Sequence, residues 1–290
     1  MLFSAEAAGN MRAALARHGI DLRVDFNPID EVWTDRPALP KDEVFVHDVK
    51  YAGEDAATKM SKVLEETRLQ GADALFVSDL AEIAWVLNIR SNDVNCNPVV
   101  TAFLYLAPKG TTLFLDKEKM TPEVASHLVA NGINVRSYGE VGEFIADVPA
   151  TEKVLVNPAR TAVALVSMLG DRVVTGLSPI ALMKAVKNDV QIAGFREAMI
   201  RDGVALVKTY MEVERRLAAG QKVTEIDADN LSTSFRSLNP EYFSKSFESA
   251  SAYGSNGAIV HYEADESSNA VISTDSLYLF DSGVNYVDGT

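Results

Sequence analysis

The regular alternation of helix and strand patterns between residues 44 and 178 most constrains the fold of this chain. A 3.6-residue apolar period over residues 54–70 predicts a helix, and the short apolar run at residues 74–77 predicts a strand. The turn Lys109-Gly110 predicts that strands at residues 102–106 and 112–115 form a hairpin. Further predicted elements are a helix at 80–87, strands at 134–137 and 153–157, and helices that start at Thr121, after Gly139 and at Arg160. Together they predict a complete α/β domain with a mixed sheet and flanking helices.

The pattern changes near residue 178. Apolar residues spaced three or four apart predict one long helix over residues 189–217 that ends by Gly220. Thr224 and Asp227 have the spacing of a capping box at the start of the next helix. The predicted elements then become strands, at residues 247–253, 258–262 and 276–280. Residues 179–290 are therefore expected to form the first part of an α+β domain.

The first 43 residues are too few for a domain of their own. They predict a helix over residues 4–18 and a strand over 22–25, followed by a linker with prolines at 28, 37 and 40. We interpret this segment as the end of a first domain whose earlier part is absent. The expected domains are therefore residues 1–43, 44–178 and 179–290.

Composition excludes several classes of protein. The net charge of −14, with no cluster of lysine and arginine, argues against binding to nucleic acid or to anionic membranes. The one cysteine, Cys96, excludes an intramolecular disulfide framework and a cysteine-rich zinc site. There is no basic and apolar signal segment at the start and no apolar run of the ~20 residues that a membrane span needs. These features predict a cytoplasmic protein.

Three motifs carry a resemblance to a known family. They are residues 80–90 (LAEIAWVLNIR) with Asn97-Pro98-Val99, residues 251–262 (SAYGSNGAIVHY), and residues 277–283 (LYLFDSG) with Asp288-Gly289-Thr290. They occur in the order found in aminopeptidase P, a metallopeptidase of the creatinase and prolidase family. The segments 33–37 (WTDRP) and 50–53 (KYAG) resemble its three-domain cytosolic form. The chain is thus identified as a member of this family.

The resemblance implies a pita-bread catalytic domain that removes the N-terminal residue from peptides with proline second. It implies two manganese ions held by two aspartates, one histidine and two glutamates, of which Asp281 matches the first aspartate. His261 matches an accessory histidine that bonds the substrate near the scissile carbonyl. The other ligands would follow Thr290, so the chain is expected to be a fragment that is inactive and binds no manganese by itself. The family also implies a homodimer.

Other interpretations remain open from the residues alone. Asp281 in Asp-Ser-Gly is also typical of a turn at the end of a strand, and His261 after an apolar run is also typical of a core histidine. For the whole protein, two alternatives are a catalytically silent pita-bread protein that binds peptides or proteins, and a prolidase.

Overall fold

The computed structural model describes residues 3–290, apart from the side chain of Asp30. Helices lie at α1 Ala5–Ala16, α2 Ile29–Val32, α3 Val49–Ala52, α4 Ala56–Leu69, α5 Leu80–Leu87, α6 Pro122–Ala130, α7 Val141–Ala146, α8 Val163–Leu169, α9 Pro179–Ala185, α10 Asp189–Ala218 and α11 Glu225–Ser237. Strands lie at β1 Phe45–Val46, β2 Ala74–Val77, β3 Ile89–Arg90, β4 Phe103–Ala107, β5 Gly110–Phe114, β6 Ile133–Arg136, β7 Val154–Val156, β8 Val173–Thr175, β9 Tyr242–Tyr253 and β10 Tyr278–Tyr286.

These elements form two compact units. The first unit comprises residues 3–49, Glu54–Val94 and Val99–Lys187, and the second comprises Lys50–Gly53, Asn95–Pro98 and Asn188–Thr290. The predicted domain limits at residues 43 and 178 stay predictions, and each unit is described by itself below.

A six-stranded mixed sheet organises the first unit. Its strand order is β6-β5-β4-β2-β7-β8, with antiparallel pairs β2–β4 and β4–β5 and parallel pairs β5–β6, β2–β7 and β7–β8. All four residues of β2 are buried, and they alternate between two apolar clusters, with Leu75 and Val77 in one and Ala74 and Phe76 in the other. Because alternate residues of a strand point to opposite faces, both faces of the sheet are covered. The predicted mixed sheet with flanking helices is confirmed.

Local sequence signals account for several boundaries in this unit. The predicted hairpin at Lys109-Gly110 is confirmed, since Ala107 pairs with Gly110 across β4 and β5. Thr121 caps α6 by accepting a hydrogen bond from the Val124 amide. The strand predicted at residues 22–25 was wrong, because these residues form no ladder, and Leu22, Arg23 and Val24 line an apolar cavity beside α1 instead.

The second unit packs α10 and α11 against a two-stranded antiparallel ribbon of β9 and β10. The predicted capping box is confirmed, since Thr224 Oγ1 accepts from the Asp227 amide at 3.2 Å and Asp227 accepts from the Thr224 amide at 2.9 Å. The strand predicted at residues 258–262 was wrong. A 3₁₀ helix at Gly254–Ala258 and a turn occupy this region instead, because its polar groups bond back to α11 rather than to a neighbouring strand.

Candidate metal and substrate site

Asp281 lies in the interior of β10, opposite Ala250 of β9. The strand continues to Tyr286, so the alternative of a turn aspartate at the end of a strand was wrong. The Asp281 side chain is exposed, on the same face of the ribbon as Leu279 because the two are separated by two positions. A carboxylate on a paired strand is held more rigidly than one on a loop.

The backbone after Asp281 is irregular. The register of β9 and β10 shifts between Asp281 and Gly283, as in a β-bulge. A side chain at Gly283 would collide with Ser246 and with the ring of Phe247, so this position requires a glycine. Ser282, between the two, accepts a hydrogen bond from Arg236 at 3.0 Å. The bulge therefore re-aims the strand directly beside the predicted ligand.

A buried arginine of α11 hydrogen-bonds to this part of β10. Arg236 of α11 is 2% exposed and binds both oxygens of Asp202 on α10, at 2.7 and 3.1 Å. The same guanidinium reaches Ser282, so it connects both helices to the strand that carries Asp281. Two parallel bonds between a guanidinium and a carboxylate fix direction as well as distance. Arg236 is thus a structural support that sequence reasoning did not find.

His261 lies in the turn that follows the 3₁₀ helix, and its side chain is exposed. The alternative of a core histidine was therefore wrong. Its φ of 56° is in the left-handed region, which few residues other than glycine adopt. The preceding 3₁₀ helix lies against the ribbon, since a Cβ at Gly257 would be 3.8 Å from the Leu279 Cβ. The segment that leads to His261 therefore lies on the face of the ribbon that also carries Asp281.

A buried glutamate joins the segment that contains His261 to α11. Glu225 is 0% exposed, and its carboxylate accepts hydrogen bonds from the Tyr262 hydroxyl at 2.7 Å and the Ala270 amide at 2.8 Å. It also accepts from the Tyr253 amide and the Asn256 side chain. This role could not be predicted from the sequence, because an acidic residue in the first turn of a helix is common.

The donors described here do not complete a metal site. Among residues 3–290, no group of three or more histidine, cysteine, aspartate or glutamate side chains is arranged to hold a metal ion. A centre of hard divalent ions takes several convergent oxygen donors for each ion. Asp281 can supply one of them, and a dinuclear centre would require further donors.

Comparison with known proteins places the chain in a family. A model described as the creatinase/prolidase N-terminal domain matches residues 35–191, and one described as metallopeptidase family M24 matches residues 193–290. This chain belongs to the creatinase/prolidase family. The resemblance carried by the three sequence motifs is thereby confirmed. No helix within residues 3–290 combines the length and the apolar character that crossing a membrane requires.

Curated relatives align with this chain over its whole length. Aminopeptidase P2 of Arabidopsis thaliana is 33% identical over 323 residues, and a probable Xaa-Pro aminopeptidase P of Aspergillus flavus is 36% identical over 302 residues. Each alignment covers 100% of this chain and 46% of the relative. The chain thus spans about half the length of the curated relatives that it matches.

Solved structures extend the likeness to the fold. The X-prolyl aminopeptidase of Caenorhabditis elegans, described as a cytosolic enzyme with a di-nuclear active site, superposes with a TM-score of 0.93 at 30% identity. That match covers 99% of this chain and 48% of the enzyme. The N-terminal domain of the FACT complex subunit SPT16 from chickpea shares the fold alone, at 12% identity and a TM-score of 0.55, and that match covers 83% of this chain and 64% of the SPT16 domain.

Proposed function

We propose that the protein containing this chain is a metal-dependent aminopeptidase that releases the N-terminal residue from peptides with proline in the second position. The observation that carries this proposal is Asp281, exposed in the interior of a paired strand within a region that matches the M24 metallopeptidases. The relatives named Xaa-Pro aminopeptidase and the similarity to the C. elegans enzyme support the same activity.

In this proposal the two predicted site residues have different roles. Asp281 supplies one carboxylate ligand, and His261 donates a hydrogen bond to the substrate near the scissile carbonyl. A pair of divalent ions, proposed to be manganese, would lower the pKa of a water molecule when bound. The remaining donors are not among those described for residues 3–290. We also propose a cytoplasmic location, a homodimer, and domain limits at residues 43 and 178.

The activity test uses the full-length protein that contains this chain. Purified protein with added manganese is given the tripeptides Arg-Pro-Pro and Arg-Ala-Pro and the dipeptide Arg-Pro, and released arginine is quantified. An aminopeptidase of the proposed specificity releases arginine from Arg-Pro-Pro and not from Arg-Ala-Pro. Release of arginine from the dipeptide Arg-Pro, and from neither tripeptide, would identify a prolidase. Binding of Arg-Pro-Pro without hydrolysis would identify a catalytically silent protein, and either outcome overturns the proposal.

Two substitutions separate the roles of the site residues. Asp281→Asn is expected to lower the manganese content, because an amide is a weaker ligand than a carboxylate. His261→Ala is expected to keep the metals and to lower kcat by about 10²–10³, the usual effect of removing one donor to a developing oxyanion. Metal content and steady-state kinetics measure both effects.

Exposed residues of the same types serve as controls for these variants. Asp275→Asn changes an exposed aspartate just before β10, and His18→Ala changes an exposed histidine of the first unit. Both are expected to retain metals and rate. The assigned roles are wrong if His261→Ala loses its metals, or if Asp281→Asn keeps both metals and the full rate.

The chain of residues 1–290 by itself is expected to bind manganese weakly or not at all. One carboxylate competes poorly with water for a hard divalent ion. Calorimetric titration of this chain with Mn²⁺, beside the same titration of the full-length protein, measures the difference. Tight stoichiometric binding by residues 1–290 would contradict the ligand assignment.

A further inference from the structure

Glu225 is a buried carboxylate whose charge is satisfied entirely by hydrogen bonds. It is the first residue of α11, it is 0% exposed, and no lysine, arginine or histidine within residues 3–290 forms a salt bridge with it. Its carboxylate accepts from the following donors: the Tyr253 amide at 2.5 Å, Asn256 Nδ2 at 3.0 and 3.2 Å, the Tyr262 hydroxyl at 2.7 Å and the Ala270 amide at 2.8 Å. A buried charge without donors would be costly, so these four groups and the carboxylate depend on one another.

The four donors surround His261 in the sequence. Tyr253 ends β9, Asn256 lies in the 3₁₀ helix before His261, and Tyr262 follows His261 directly. Ala270 lies where the chain returns to α11. One carboxylate therefore holds both ends and the middle of the segment 253–270.

Backbone hydrogen bonds close the return of this segment onto α11. The Glu225 amide donates to the Ala270 carbonyl at 3.1 Å, and the Ile272 amide donates to the Val223 carbonyl at 2.9 Å. The segment is thus tied to the helix by main-chain bonds at its end. From this point the Glu225 carboxylate also reaches Tyr262, the residue next to His261.

The conformation of His261 requires such support. A residue other than glycine with a φ of 56° is in a sparsely populated region and stays there only when its surroundings determine it. Tyr262, its neighbour, is 6% exposed, and its hydroxyl bonds to Glu225, to the Ser268 carbonyl and to Ser268 Oγ. Because the side chain of Tyr262 is fixed inward, the backbone at His261 directs its imidazole outward.

We propose that Glu225 is a positioning residue for His261, which acts by holding Tyr262 and Asn256 so that the imidazole meets the peptide substrate in one orientation. This inference rests on the function proposed above. It assigns Glu225 no contact with substrate or metal. Groups that hydrogen-bond to a functional side chain or its neighbours, and so fix its orientation, commonly change activity by about 10- to 100-fold when they are removed.

Ionisation of Glu225 matches this role. Burial alone would raise the pKa of the carboxyl, but the hydrogen bonds from Ala270, Tyr253, Tyr262 and Asn256 outweigh it and hold the pKa below its ordinary value. The group is therefore an anion at neutral pH. A carboxylate can accept all four donors, whereas the amide of glutamine would present its NH₂ group to some of them.

The test is a double-mutant cycle in the full-length protein with manganese bound. Tyr262→Phe removes one donor and keeps the buried ring, and Glu225→Gln replaces one acceptor oxygen with an NH₂ donor at nearly the same volume. Each is made in the native sequence and in the His261→Ala background, and kcat and KM for Arg-Pro-Pro are measured. We expect Tyr262→Phe to lower kcat about 10-fold with KM nearly unchanged, and to change kcat less than about 2-fold when His261 is already absent.

The outcome that overturns the proposal is an equal loss of kcat in both backgrounds, which would mean that Glu225 and Tyr262 support the fold in general. Tyr105→Phe is the matched control. Tyr105 is also a buried tyrosine that donates to a glutamate, Glu152, and it belongs to the first unit. Its variant is expected to keep kcat while losing some stability. A kcat loss in this control as large as that in Tyr262→Phe would also overturn the proposal.

Hydrogen exchange separates this inference from the proposed function. Amides of residues 254–262 are expected to exchange at least about 10-fold faster in Tyr262→Phe than in the native protein, whether or not the protein cleaves peptides. An inactive protein with this faster exchange would refute the peptidase and leave the role of Glu225 in place. Unchanged exchange would refute the positioning role even in an active enzyme.

Discussion

The two compact units differ in how they stabilise their interiors. The first unit covers both faces of a six-stranded sheet with apolar side chains, and its central residues, such as Leu104 and Phe114, are fully buried. The second unit has small apolar clusters around Val213 and Val284 and relies more on buried polar groups such as Glu225 and Arg236. Apolar packing tolerates variation in detail, whereas a hydrogen-bonded network needs every partner in place. The unit that carries the candidate site is the one with the stricter requirement.

Two buried glutamates illustrate this difference. Glu82 in the first unit is 5% exposed and accepts from the Ser178 hydroxyl, and burial is the main cause that raises the pKa of its carboxyl. Glu225 has enough donors to reverse the effect of burial, so its pKa is lowered. Ionisation of Glu82 therefore destabilises the first unit, whereas the ionised carboxylate of Glu225 stabilises the second unit.

The largest expected effect is a loss of packing in the sheet of the first unit. Phe114→Ala removes a fully buried ring whose centroid lies 5.1 Å from that of Phe144, and we expect it to lower the free energy of unfolding by about 3–5 kcal/mol. Val129→Ala, at a position that is 77% exposed on α6, is the control and should change it by less than about 0.5 kcal/mol. Urea unfolding measures both. Similar losses in the two variants would contradict the assigned core.

The next effect has opposite signs at the two glutamates. The pKa of Glu225 is lower in the folded protein than its unfolded value near 4.5. The stability that its carboxylate contributes is therefore present above pH 4.5 and is lost as the pH falls through the folded pKa. Glu225→Gln should therefore cost about 1–3 kcal/mol at pH 7, and this cost should shrink in acid. The pKa of Glu82 is higher in the folded protein than in the unfolded chain. The stability that its protonated carboxyl contributes is therefore present below the unfolded pKa and is lost as the pH rises through the folded pKa. The change in the free energy of unfolding caused by Glu82→Gln, measured against native protein, should thus be more favourable at pH 7 than at pH 4.

Hydrogen exchange of amides within each unit, measured from pH 4 to pH 8 for native protein and variant, follows the two glutamates separately. The difference between variant and native protein isolates the substituted group from other acids that titrate in the same range. If both substitutions destabilised their units most at neutral pH, the contrast between the two environments would be wrong.

The smallest effects concern the two faces of α10. Val213 is 5% exposed within an apolar cluster, whereas Met211, on the same helix, is 63% exposed. Val213→Ala should lower the free energy of unfolding by about 1–2 kcal/mol, and Met211→Ala should change it by less than about 0.5 kcal/mol. Thermal unfolding of the pair provides the comparison. A larger loss for Met211→Ala would mean that this face of the helix is covered in solution.

Local signals in the sequence determined much of the fold. The capping box at Thr224, the turn at Lys109-Gly110 and the apolar period of α10 each act over a few residues, so they could be read without a structure. The motifs around Asp281 and His261 also identified the family that the comparisons confirm. The roles of these two residues stay predictions, since the other donors of a metal centre are not among those described.

The tertiary structure alone decided the features that depend on distant partners. The apolar run at residues 258–260 looked like a strand, but Tyr262 bonds to Glu225, 37 positions earlier, and the chain turns at His261 instead. The order of the six strands and the bulge beside Asp281 likewise arise from pairing between separate segments. Sequence patterns report the preference of a segment for its own conformation, whereas a buried charge selects its partners by the donors that the whole fold brings within reach. For this reason Glu225, which holds the loop around His261, could be recognised only in three dimensions.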